Sequence, residues 1–162
     1  MIELDKIGLG GGCHWCTEAV FQVLAGVNKV EQGYISTNLQ PENYHEGVIV
    51  HFDPEKVNLE DLLMIHLHTH KSTSNHSMRD KYMSAVFAFH QVQYFRTEDI
   101  LKNLQEEFDG HIITSTVRFG NFKPSRPEIQ NYYKTDPGRP FCTKYIEPKL
   151  KLLTTEFKRF IK

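Results

Sequence analysis

Apolar positions along the chain follow two periods. Residues 6–9, 27–34, 47–52, 82–89 and 112–119 read as strands. Val48, Val50 and Phe52 alternate and are stopped by Asp53-Pro54, and β-branched residues alternate again over 112–119. A helical period carries Trp15, Ala19, Val20, Val23 and Leu24, with Gly26 as terminator. Asn58 can N-cap a second helix through Leu59, Leu62, Leu63, Ile65 and Leu67. A third, amphipathic, spans Val92 to Phe108 and closes at Asp109-Gly110, and residues 127–133 predict a short one. Leu150, Leu153, Phe157, Phe160 and Ile161 predict one apolar stripe on a terminal helix. The polar stretches 35–44 and 71–80 read as loops.

The resulting order is strand–helix–strand–strand–helix–strand, then helix–strand–helix. The first six elements match the split βαβ pattern of ferredoxin-like units. We therefore expect an α+β fold, a mixed sheet with helices packed on it. With no internal repeat, low-complexity segment or linker, residues 1–162 read as a single domain.

At 162 residues the chain can bury one core without disulfides. Nineteen Lys and Arg against twenty Asp and Glu give a net charge of -1, so neither a nucleic-acid nor an anionic-membrane partner is expected. No apolar run approaches the roughly 18 residues of a membrane helix, and Met1 to Lys6 is no signal-peptide core. The reading is a reducing cytoplasm, where three cysteines point to catalysis, redox chemistry or metal binding rather than to a scaffold.

The informative stretch is Gly10-Gly11-Gly12-Cys13-His14-Trp15-Cys16-Thr17-Glu18, between a strand and a helix. Free N–H groups and the dipole at a helix start stabilise a thiolate, so a lowered Cys13 pKa is expected. Cys16, three residues on, lies within disulfide reach. Gly8-x-Gly10 lacks the Gly-Lys-Ser/Thr ending of a phosphate loop. A thioredoxin-type dithiol is a rival, although Trp15 lies between the cysteines rather than before them. A metal-binding or interaction module using Cys13, Cys16 and histidines is another.

Gly12-Cys13-His14-Trp15-Cys16-Thr17-Glu18 resembles the Gly-Cys-Phe-Trp-x-x-Glu signature of peptide methionine sulfoxide reductase A. The likeness continues through Gly33-Tyr34, Glu46-x-Val48-x-Val50-x-Phe52-Asp53-Pro54, Tyr82-x-Ser84-Ala85-Val86-Phe87, Gln130-x-Tyr132, Pro140-Phe141-Cys142 and Pro148-Lys149-Leu150. It implies reduction of methionine S-sulfoxide, free or in proteins, without a cofactor or metal. Cys13 is then the nucleophile, left as a sulfenic acid. A second thiol condenses with it to a disulfide, which a thioredoxin-like partner reduces. Glu46 aligns with the proton donor, which needs an apolar surrounding to stay protonated. Tyr34 and Tyr82 align with the tyrosines that hold the sulfoxide oxygen, and Trp15 offers a face to the methyl group.

Several positions depart from the family. His14 replaces a Phe in the methyl pocket and makes it more polar. Ser77 replaces an Asp, Met83 an Arg, Glu128-Ile129 a Tyr-His, and the loop between Tyr34 and Glu46 is short. For the resolving thiol, proximity favours Cys16 and resemblance favours Cys142, which stands in a Gly/Pro-rich stretch able to swing. We take Cys142 as resolver, with Cys16 second or as a relay. Of His66, His68 and His70, only the first and last share a helical face, and they read as partly buried histidines at a helix end rather than metal ligands. The C-terminal basic residues, Lys149 among them, read as the solvated side of the last helix.

Overall fold

A computed structural model describes residues 3–162; Met1 and Ile2, the start of the expected domain, lie outside the described residues. The fold is α+β. Its strands are β1 (Asp5–Gly10), β2 (Val27–Thr37), β3 (His45–Phe52), β4 (Ala85–Ala88) and β5 (Ser115–Pro124). Its helices are α1 (His14–Gln22), α2 (Leu59–Thr69), α3 (Gln91–Leu104), α4 (Tyr132–Thr135) and α5 (Glu147–Glu156). The strands form a closed barrel in the order β1-β3-β2-β5-β4. β3 lies antiparallel between β1 and β2, and β1 is antiparallel to β4. β5 closes the barrel, antiparallel to β2 and parallel to β4, so the sheet is mixed.

The alternation along the strands has a direct cause. On one face Ile7, Leu9, Val48, Val50 and Val86 meet Val20, Phe21, Leu62 and Leu63 of the helices. Burying each such side chain contributes roughly 1.5–3 kcal/mol. The opposite face fills the barrel with Ile35, Ile49, Ala85 and Phe87. Five strands leave little room there: a Cβ on Gly8 would lie 2.7 Å from both Ile35 and Phe87. Asn58 caps α2 as expected, its side chain accepting from the Asp61 amide at 2.8 Å. Asp109 and Gly110 both take positive φ after the turn that ends the third helical segment.

Four expectations need correction. β2 runs on to Thr37 through the first residues of the expected 35–44 loop, because Ile35 and Thr37 pair with Phe122 and Phe119. For the same reason the last strand is shifted to Ser115–Pro124. The 127–133 helix is split at Asn131, which takes φ 54. The terminal stripe is not one helix. α5 ends at Glu156, and Phe160 and Ile161 instead pair with the backbone that closes α1. The Ala25 amide donates to Phe160 at 2.7 Å, and the Lys162 amide to Val23 at 2.9 Å.

Candidate active site

Strand register brings the site together at one end of the barrel. Leu9 pairs with Val48, so Glu46, two residues earlier and on the same face, is level with Gly11. Tyr34 lies directly opposite Glu46 across the β2–β3 ladder. Gly10 pairs with Ala85, which puts Tyr82 and Ser84 at the same end. The Glu46 amide donates to the Lys81 carbonyl at 2.9 Å and fastens the segment before β4 to this rim.

Between β1 and α1 the chain turns at Gly11, whose φ of +151° suits glycine. A Cβ there would also lie 2.5 Å from the His70 ring. That ring belongs to a buried hydrogen-bond chain. Burial holds His66 and His70 neutral, with the His66 pKa near 4. Carbonyls only accept, which fixes the protons: His66 Nε2–H donates to Gly10, and His70 Nδ1–H to His66. The His70 Nε2 then accepts from Ser84, whose hydroxyl also meets Thr114 at 2.7 Å. The two histidines therefore pin the turn that presents Cys13. No group of three or more His, Cys, Asp or Glu able to hold a metal occurs among the described residues.

Cys13 is the N-cap of α1, with extended backbone (φ -60, ψ 130) and a carbonyl that accepts from the Cys16 and Thr17 amides. It therefore stands at the entry of the helix, one turn before Cys16, and packs against the cluster that holds Cys16. The neighbouring Cys16 thiol and burial raise the Cys13 pKa, and the neighbouring Cys13 lowers that of Cys16. The Cys13 shift is opposite in direction to the lowering expected from its place at the helix start. Cys13, Cys16 and Tyr82 line one cavity of about 330 Å³. A larger one, about 730 Å³, contains none of the expected site residues.

Glu46 approaches α1 from β3. Its Oε1 accepts from the His14 amide at 3.1 Å and lies 3.4 Å from His14 Nε2, while Oε2 is 3.4 Å from Lys81. The surroundings of Glu46 are thus polar, not the apolar pocket expected, because the helix start, the His14 ring and the Lys81 ammonium point at it. His14 is buried; its Nδ1–H donates to the Gly33 carbonyl at 2.7 Å and its ring meets Tyr34 edge-on at 5.2 Å. Trp15 is stacked on Tyr132 at 4.0 Å and is met edge-on by Phe141.

Cys142 does not stand in an open loop. It begins a π-helical turn (Cys142–Ile146), fully buried in a cluster with Cys16, Ala19 and Ile146. Burial raises its pKa. All three cysteines are free.

Three contributors escaped the sequence reading. Glu18 is buried and accepts from the Gln32 side chain and from the Asn131 and Tyr132 amides, which fixes Tyr132 under Trp15. Arg79 donates to the carbonyls of Gly11, Ser74 and Tyr82, tying the 71–82 segment to the glycine turn. Lys149 is half-buried against the Thr69 carbonyl, not on the solvated face expected. Glu18 and Lys149 stand in stretches that resemble the family, a signal that could have flagged both; Arg79 has none.

Residues 5–160 match the family model for peptide methionine sulfoxide reductase. The chain belongs to that family, whose members are oxidoreductases acting on methionine sulfoxide. A peptide methionine sulfoxide reductase from Nitratiruptor is 32% identical, over 94% of this chain and 96% of its own. Another, from Deinococcus radiodurans, is 38% identical over 86% of this chain and 76% of its own. The reduced form of Mxr1 from Saccharomyces cerevisiae shares the fold, with a TM-score of 0.74 at 20% identity over 88% of this chain and 91% of that one. Mxr1 in complex with Trx2 matches with a TM-score of 0.61, at 20% identity over 80% of this chain and 85% of that one.

Proposed function

We propose that this chain reduces the S-epimer of methionine sulfoxide, free or in proteins, with Cys13 as nucleophile. One observation carries the reading: Cys13 is the N-cap of α1, and Glu46 accepts from the backbone amide of the next residue at 3.1 Å. Cys13 sulfur attacks the sulfoxide sulfur. Glu46 takes the thiol proton and gives it to the oxygen, so thiol and sulfoxide become sulfenic acid and methionine. Tyr34 and Tyr82 hold the oxygen, while Trp15 and His14 border the methyl group.

Cys142 resolves through Cys16 as a relay. Cys16 attacks the sulfenic acid and water leaves, then Cys142 attacks Cys16 and frees Cys13. The shared cluster of Cys13, Cys16 and Cys142 supports this order. A thioredoxin-like protein then reduces the last disulfide, a reading supported by the Mxr1 complex with Trx2. Three free cysteines suit a reducing cytoplasm. Among the described residues no helix is long and apolar enough to cross a membrane.

We also read β1-α1-β2-β3-α2-β4 as a ferredoxin-like split βαβ unit, supported by the antiparallel pairing of β1 with β3 and β4. The family match over residues 5–160 supports a single domain.

The test is intact mass and product analysis after one equivalent of each sulfoxide epimer, without reductant. The S-epimer should give one methionine and a protein lighter by two hydrogens; equal turnover of both epimers would overturn the reading.

A further inference from the structure

The cavity beside the dithiol holds a cation for which the reaction so far has no use. Lys149 lies near the start of α5, just after Pro148, and its ammonium crosses to the Thr69 carbonyl at the C-terminal end of α2. It lines the same cavity as Cys13 and Cys16. Among the described residues no carboxylate forms an ion pair with it. A half-buried ammonium with one carbonyl partner is left with donors to spare, and the nearby groups able to carry negative charge are sulfurs.

We propose that Lys149 is the counter-ion of the dithiol, a positioning residue that holds a thiolate on Cys16 and so makes Cys16 the first thiol to attack the Cys13 sulfenic acid. This rests on the role given to Cys13 above. The other charged neighbours cannot do the same work. Arg79 spends its guanidinium on backbone carbonyls, and Lys71, at the cavity rim, is exposed and screened. His70 is held neutral by burial. Glu46 opposes a thiolate on either sulfur. Tyr82, Tyr145 and His76 also border the cavity and bring no fixed positive charge. The influence is mutual: Lys149 lowers the Cys16 pKa, and the two sulfurs partly offset the burial that lowers that of Lys149.

The step balances. The Cys16 thiolate attacks the Cys13 sulfur, an S–S bond forms and the S–O bond breaks. The departing hydroxide takes a proton from solvent and leaves as water. Cys142, whose thiol burial pushes up, has less thiolate to compete with.

The experiment follows the reduced thiols without substrate. Wild type, Lys149→Met and Lys149→Arg are alkylated with iodoacetamide across pH, and Cys13 and Cys16 are followed separately by peptide mass. Thiolate ultraviolet absorbance provides a second titration, and thermal melts confirm folding. Wild-type Cys16 should titrate below Cys13. Lys149→Met should move the Cys16 midpoint up by about one pH unit or more, and Lys149→Arg should restore it. After one equivalent of S-sulfoxide, Lys149→Met should accumulate a dimedone-trapped sulfenic acid on Cys13. An unmoved Cys16 midpoint in folded Lys149→Met overturns the proposal. If that variant does not fold, wild-type Cys13 titrating before Cys16 overturns it. Because the alkylation needs no sulfoxide, it decides the matter even where sulfoxide reduction itself fails.

Discussion

Glu46 Oε1 accepts the backbone N–H of His14 at 3.1 Å, which fixes a β3 carboxylate against the residue that follows Cys13. An amide oxygen can keep that hydrogen bond but cannot deliver a proton. Glu46→Gln should therefore slow methionine formation by the ~10²–10⁴-fold typical of general-acid loss and leave binding nearly unchanged. Single-turnover quench with S-sulfoxide measures it. An unchanged rate would move the acid role to Tyr34 or Tyr82.

Acid should loosen the fold through the histidines under the glycine turn. Burial puts the His66 pKa near 4, against about 6.5 in an unfolded chain. The folded state thus binds fewer protons between those values. Stability is full above roughly pH 6.5 and falls as pH drops through the window, by on the order of 3 kcal/mol from His66. His70 is shifted in the same direction and adds to the fall. Urea midpoints against pH should show this slope, and it should be shallower in His66→Phe. That variant also leaves the Gly10 carbonyl without its donor, a pH-independent cost of about 1–3 kcal/mol.

Glu18 links α1 to the segment before α4. Glu18→Ala leaves the Asn131 and Tyr132 amides without their carboxylate, and charge-assisted bonds of this kind contribute about 1.5–3 kcal/mol. Chemical denaturation should register a loss of that order. The Trp15–Tyr132 stack should loosen with it, seen as a change in Trp15 fluorescence. Unaltered stability would mean that the segment is held from elsewhere.

These contacts show which parts of the molecule a sequence reading can reach. Cys13 at a helix start was legible because strand, glycines and helix period are all local. The Asn58 cap and the shared face of His66 and His70 were legible for the same reason. The β2–β5 pairing was not, since Ile35 and Phe122 meet across a long separation and the 35–44 stretch looks polar on its own. Lys149 reads as solvated by residue type, and only the approach of α5 to the end of α2 turns it inward. The polar neighbours of Glu46 come from α1 and from Lys81, and neither contact has a signal in the β3 pattern.

The order of the disulfides remains the sharpest test of the relay. Cys16 and Cys142 are buried in one cluster, and Cys13 packs against it. Passage through Cys16 uses the cluster that gathers all three cysteines, and the burial of Cys142 in its helical turn argues against a swing to Cys13. With one equivalent of S-sulfoxide, wild type should end with a Cys16–Cys142 disulfide in peptide maps. Cys142→Ser should stop at Cys13–Cys16. Cys16→Ser should stall as the Cys13 sulfenic acid, and its disulfide formation should be slowed at least about tenfold, the rate ratio set by about 1.4 kcal/mol of added barrier. A Cys13–Cys142 disulfide formed at the wild-type rate in Cys16→Ser would show that the turn opens readily and that Cys142 resolves unaided.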